Sequence, residues 1–299
     1  MVTADGDIQT AWDECRLQKA LGRITTQATF RVYNYLMGRY VRLSREVRFS
    51  GGLEPSSGAT GNSFAGNPLG SGLEPLLTLT VEAAGEIDGQ TGMLVNIKQI
   101  DELVRRGIVG EWRGDTVTTA PMLLRQAWRL LDSLPHKIKV KSLTLACSPW
   151  LYYRISDEVE EMIELTERFE FSAAHRLHSA NLTDSQNAAI FGKCNNPHGH
   201  GHNYELEVTI CGPIGADGRI IPLQKLHDII NRRVIDRMDH RHLNVELPEF
   251  AEVNPTVENI AAVIFDSLAG EFTAPVRLAR VRLWETPKTS CTINADERS

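Results

Sequence analysis

Apolar positions along this chain change period in a fixed order, and the order occurs twice. Alternation at every second residue runs through Leu77, Leu79 and Val81, and again through Leu206, Val208 and Ile210. That is the period of a strand with one buried face. A Gly/Asp turn follows in each case, Asp88 to Gly92 and Gly215 to Gly218. Helical spacing then takes over, at Ile97, Ile100, Leu103 and Val104 and at Leu223, Leu226, Ile229 and Ile230. A second amphipathic helix is predicted by Leu123, Leu124, Ala127, Leu130 and Leu131, echoed by Ile260, Val263, Ile264 and Leu268. Each series closes on a strand, Ser142 to Ala146 and Ala279 to Trp284. The unit reads strand, strand, helix, helix, strand, with a fourth strand after it. Two copies of an α+β domain are predicted, each an antiparallel four-stranded sheet with two helices on one face.

Local motifs repeat with the pattern. Arg48-Phe49-Ser50-Gly51-Gly52-Leu53 matches Glu170-Phe171-Ser172-Ala173-Ala174-His175, and Asn67-Pro68-Leu69-Gly70-Ser71-Gly72-Leu73 matches Asn196-Pro197-His198-Gly199-His200-Gly201-His202. The boundary between copies is expected near Asp157 to Thr166, where the acidic run from Asp157 to Glu161 marks a linker or short helix. This divides the chain into an extension over 1–40, a first domain over 41–160 and a second over 161–299. The Gly/Ser-rich stretch from Gly51 to Gly72 reads as a long flexible loop.

Totals narrow the class. With 299 residues the chain has room for two ordinary domains. A formal charge of −6 argues against a dedicated nucleic-acid binder, although a local basic pocket for a small anion remains compatible with it. Neither an apolar signal segment at the N-terminus nor a run of membrane-spanning length is visible. The five cysteines, Cys15, Cys147, Cys194, Cys211 and Cys291, have no disulfide-like spacing, so a cytoplasmic location is expected.

The second copy carries the chemistry. Residues two apart on a strand share a face, so His200 and His202 would present two imidazoles side by side, and a hairpin would bring His175 alongside. Three neutral imidazoles converging this way make a tetrahedral zinc site with one position open to water or substrate. His198 shares the parity but falls in the turn before the strand and is left out. Cys194 could be a zinc ligand or, as a thiolate near positive charge, a general base. Asp239-His240 could polarise a thiol or form a surface loop.

Taken in order, Phe171-Ser172-Ala173-Ala174-His175, Cys194 before His200-Gly201-His202, Asp239-His240 and Trp284-Glu285-Thr286 resemble the 6-pyruvoyl-tetrahydropterin synthase family, whose relatives include the 6-carboxy-tetrahydropterin synthases of queuosine biosynthesis. The resemblance covers about Leu165 to Ala295. It implies the tunnelling fold, here as two tandem units, assembled as a homo-oligomer with sites between units. It implies zinc on His175, His200 and His202, and Cys194 as base with Asp239 and His240 as relay. Glu285 would anchor the pterin ring of 7,8-dihydroneopterin triphosphate, a carboxylate accepting two parallel N–H bonds. Thr256 and Glu258 fall where the family has further pterin contacts, although Thr256 suits a helix cap equally well.

The gap of five residues from Cys194 to His200 resembles the pyruvoyl subgroup; the carboxy enzymes, which also release acetaldehyde, usually have three. A third reading, of another class, is a non-catalytic zinc- or pterin-binding protein. The first copy departs from the pattern: Leu53, Ser71 and Leu73 stand for the three histidines, Ala65 for Cys194 and Cys147 for Glu285, and Gly110 to Gly114 has no Asp-His pair. Leucine cannot ligate zinc, so this copy is expected to hold no catalytic metal.

Overall fold

The computed structural model describes residues 39–50, 76–105, 107, 118–135, 137–159 and 161–298. Residues 1–38 of the predicted extension, the Gly/Ser-rich loop, the Gly110 to Gly114 segment and the first-copy positions Leu53, Ala65, Ser71 and Leu73 lie outside these residues.

Strands β1 (Tyr40–Ser50), β2 (Leu76–Glu86), β3 (Ile138–Ala146) and β4 (Leu151–Ser156) form the first block, with helices α1 (Ile97–Val104) and α2 (Ala120–Leu131) between β2 and β3. The second block holds β5 (Ile163–His175), α3 (Asp184–Phe191), β6 (His200–Gly212), α4 (Leu223–Ile230), the two-residue β7 (Arg241–His242), α5 (Val257–Ala269), β8 (Arg277–Thr286) and β9 (Thr289–Asn294).

The blocks do not make two separate sheets. One continuous sheet runs β1-β2-β3-β4-β5-β6-β8-β9, antiparallel at every one of these steps, with β7 adding in parallel to β5. The seam is the β4–β5 pairing, from Leu151 opposite Glu167 to Arg154 opposite Glu164. An unpaired strand edge exposes a row of N–H and C=O groups. At this seam two such edges meet, and each satisfies the other.

Alternation sorts the two faces. Leu79, Val81, Leu143, Leu145, Ile155, Leu165, Leu206, Val208, Ile210, Val281 and Leu283 are buried, and the inward residues of the helices, among them Ile100, Leu124, Leu226, Ile230, Ile260 and Ile264, join them in one core. Each fully buried Leu or Ile contributes about 1.5–3 kcal/mol by leaving water. The opposite face carries Thr80, Thr144, Arg154, Arg168, Glu207 and Arg282, as the strand register requires. There Arg168 bridges Glu205 at 3.1 Å and Glu207 at 2.8 Å.

Local signals set the ends of the helices. Asn96 caps α1 by accepting from the Lys98 N–H. Thr183 and Gln186 form a reciprocal capping box on α3. Thr256 caps α5 through the Asn259 N–H. After α4 the chain widens into a π turn over Asn231–Ile235 and a last turn over Asp236–Met238, then breaks at Asp239, whose backbone is extended. That break delivers the Asp-His pair to the sheet.

Candidate metal and active site

His175 is the last residue of β5 and His200 the first of β6, and the two are register partners; His202 lies opposite Ala173. All three side chains therefore share the core face, at the end of the strands where the hydrophobic core gives way. Their ligating nitrogens lie within 4.8 Å of one another. The Nε2 atoms of His175 and His200 are 3.2 Å apart. Two nitrogens each 2.0–2.1 Å from one tetrahedral ion would be separated by about 3.3 Å.

Protonation fits a metal as well. His175 is 1 % exposed, and its Nδ1 lies 2.6 Å from the Pro255 carbonyl oxygen. A carbonyl only accepts, so Nδ1 carries the proton and Nε2 turns its lone pair toward the other two rings. Burial pushes His175 down to about 4, against the bond to Pro255, and the neighbouring histidines lower it further. Burial likewise lowers His200, with His202 adding to the effect and Glu285 opposing it. The neutral imidazole is the form that binds metal. The buried Nε2 of His202 has no hydrogen-bond partner. An unpaired buried nitrogen is costly unless something fills the site. The three residues fit a zinc ion.

Glu285 comes to the same place from β8. Alternation along β8 sets its side chain on the same face as the buried Val281 and Leu283. Its Oε1 is 3.5 Å from His175 Nε2 and 3.9 Å from His202 Nε2.

Asp239 and His240 are held against β5. Asp239 Oδ1 accepts from the Ser172 N–H at 2.8 Å, and the His240 N–H donates to the Ser172 carbonyl at 2.6 Å. Asp239 Oδ2 meets His240 Nδ1 at 2.8 Å. The Ser172 N–H, then the His240 side chain, hold the Asp239 carboxyl below its usual range. His240 has φ +57°, a left-handed conformation uncommon for a side-chain-bearing residue, and its imidazole is 83 % exposed. An open groove of about 570 Å³ is lined by His202, His240, His242 and Arg241 together with Ser172 and Asn203, so the exposed His240 and one member of the triad line one space.

Cys194 is half-buried in a 3₁₀ turn over Gly192–Asn195 that follows α3, and its carbonyl accepts from the Leu177 N–H at 2.9 Å. His198 is exposed and outside the triad. Glu258 is exposed in the first turn of α5, while the Thr256 hydroxyl is the cap of that helix.

Two members of the site were not anticipated. Tyr204 is fully buried two residues beyond His202, its ring against those of His175 and His202, and its hydroxyl has no partner. Strand parity alone places it beneath the triad. The Pro255 carbonyl, by contrast, carries no side-chain signal at all.

Comparison with known proteins covers the same block. Residues 164–296 match the 6-pyruvoyl tetrahydropterin synthase family. The 6-pyruvoyl tetrahydrobiopterin synthase of Drosophila melanogaster is 43 % identical over 125 residues, 42 % of this chain and 74 % of that protein. The human 6-pyruvoyl tetrahydrobiopterin synthase is 41 % identical over 124 residues, 41 % of this chain and 85 % of that protein. A 6-carboxy-5,6,7,8-tetrahydropterin synthase from Haemophilus influenzae is 28 % identical over 151 residues, 44 % of this chain and 97 % of that protein. Through its second block, this chain belongs to the 6-pyruvoyl tetrahydropterin synthase family.

Proposed function

We propose that the chain is a zinc-dependent carbon–oxygen lyase that converts 7,8-dihydroneopterin triphosphate to 6-pyruvoyl-tetrahydropterin with elimination of triphosphate. The observation that carries this reading is the triad of neutral, convergent imidazoles on His175, His200 and His202. When bound there, zinc supplies Lewis-acid polarisation of the substrate's side-chain oxygens. Cys194 takes the proton from the side-chain carbon. Asp239 holds His240 through Nδ1, leaving its exposed Nε2 to move the proton. Glu285 anchors the pterin ring through two N–H bonds, its carboxylate beside the triad tying ring position to side-chain position. Glu258, exposed at the mouth of α5, adds a ring contact, and Thr256 contributes by fixing that helix start.

Higher identity to the pyruvoyl relatives than to the carboxy relative supports this product, as does the five-residue gap after Cys194. Incubating zinc-loaded protein with dihydroneopterin triphosphate and identifying products by mass tests it. Triphosphate without acetaldehyde is expected; acetaldehyde would reassign the chain to the carboxy reaction, and pterin retention without turnover would make it a binding protein.

We further propose that the blocks are tandem tunnelling-fold units, 41–160 and 161–299, behind an extension over 1–40, and that the chain works in the cytoplasm as a homo-oligomer with pterin sites between units. An inverted ion pair supports the tandem reading. Arg45 of β1 meets Asp101 of α1 through two bonds at 2.8 and 2.6 Å, and Glu167 of β5 meets His227 of α4 at 2.7 Å. Continuing the motif alignment pairs position 45 with 167 and position 101 with 227, so the same strand-to-helix tie recurs with its acidic and basic partners exchanged. Among the described residues, no helix is long and apolar enough to cross a membrane.

A further inference from the structure

The four residues His175 to His178, at the end of β5, touch every segment that carries a candidate functional group. His175 Nδ1 donates to Pro255, next to Thr256 and Glu258. The Arg176 backbone is gripped twice by the Asn244 carboxamide, its N–H donating to Oδ1 at 2.8 Å and its carbonyl accepting from Nδ2 at 3.0 Å; Asn244 lies just beyond Asp239-His240. The Leu177 N–H donates to Cys194, and the His178 N–H donates to Asn254 Oδ1 at 2.8 Å. A backbone so tied cannot shift one segment without the others.

One side chain of this group reaches the thiol's own loop. The Arg176 guanidinium donates from Nε to the Asn195 carbonyl at 3.2 Å and from Nη2 to Asn195 Oδ1 at 3.1 Å, while the same Nη2 lies 3.2 Å from His178 Nδ1. Asn195 directly follows Cys194 in the 3₁₀ turn. The fork therefore grips the residue beside the thiol at two points, and the Leu177 N–H grips the thiol residue itself. A rigid planar guanidinium fixes two acceptors in one geometry, which a flexible ammonium does not.

We propose that Arg176 is a positioning residue for Cys194, setting the thiol relative to the triad through Asn195. The inference rests on Cys194 being the base, but its test does not require turnover. In the full, zinc-loaded chain, the alkylation rate of Cys194 by iodoacetamide is read from the mass of its peptide, alongside kcat, KM and bound zinc. Arg176→Gln is expected to raise the Cys194 alkylation rate about tenfold and to lower kcat about 10- to 100-fold. KM should stay within about threefold and zinc should be retained. Arg176→Lys should recover little of either loss. Asn195→Ala, which removes only the Oδ1 acceptor, should reproduce part of the effect and serves if the arginine variant does not fold. An Arg176→Gln chain with wild-type alkylation and wild-type kcat would overturn the proposal, and so would one that loses its zinc. A wild-type chain without turnover overturns the lyase reading alone, because alkylation still decides the role of Arg176.

Discussion

The two blocks of the sheet share strand order, two principal helices and a continuous core, yet they end their strands differently. In the second block β5 ends on His175 and β6 begins on His200, the two facing each other with Glu285 beside them from β8. In the first block β1 keeps Phe49 buried close to the corresponding strand end. In the first block Cys147 directly follows β3, and burial pushes its thiol up to about 11. A neutral, half-buried thiol offers no counterpart to a carboxylate. The framework of alternating apolar residues tolerates either outcome, because the chemistry hangs on side chains at the strand ends and not on the packing beneath them.

Breaking the second block at its metal should have the largest effect. His202→Ala removes one of three ligands and is expected to weaken zinc binding by about 100-fold or more, at or beyond the 10- to 100-fold cost of losing a supporting contact. Chelator competition on the purified chain measures this. Cys194→Ala should instead keep its zinc and lose turnover by about 100-fold or more, the scale of general-base catalysis. Paired zinc and product assays separate the two variants, and a Cys194→Ala chain with full activity would remove the thiol from the mechanism.

Breaking the first block should cost stability and leave the metal alone. Arg45 and Asp101 are 21 % and 17 % exposed, so Arg45→Ala strands a largely buried carboxylate at a cost of about 1–3 kcal/mol. His227 of the equivalent tie is 41 % exposed, and its loss should cost about 0.2–1 kcal/mol. Urea melts of the single and double variants of each pair read both numbers, with zinc content unchanged in the first pair. Equal costs in the two pairs would undo the contrast between them.

The smallest effect is a pH dependence. The Asp239 carboxyl titrates lower in the folded chain than in the unfolded one, chiefly because the Ser172 N–H binds its charged form. Its stabilising contribution is therefore complete above the unfolded carboxylate pKa of about 3.9 and is lost as pH falls through the lower folded value. Melts between pH 5 and about 3 should show wild type losing its advantage over Asp239→Asn only toward the acid end. A constant difference across that range would refute the assignment.

Much of this was legible from local periodicity. Spacing of two along Leu206, Val208 and Ile210 and of three and four along α4 identifies buried faces without knowledge of partners, and the same parity puts His200 and His202 on one side. Long-range register was not legible. Nothing local indicates that β4 and β5 would join the blocks into one sheet, or that β7 would lie parallel to β5. Backbone acceptors are equally silent: the Pro255 carbonyl sets the His175 tautomer although proline has no polar side chain. The left-handed backbone of His240 is also a tertiary result, imposed by the bonds that hold it to Ser172.

Zinc stoichiometry tests the contrast between the blocks most directly. Metal analysis of the intact chain after exhaustive dialysis should give about one zinc per chain, the occupancy of a single three-histidine site. The same analysis of a chain carrying His175→Ala, His200→Ala and His202→Ala should give none. Two zincs per wild-type chain, or one that survives the triple substitution, would contradict the account.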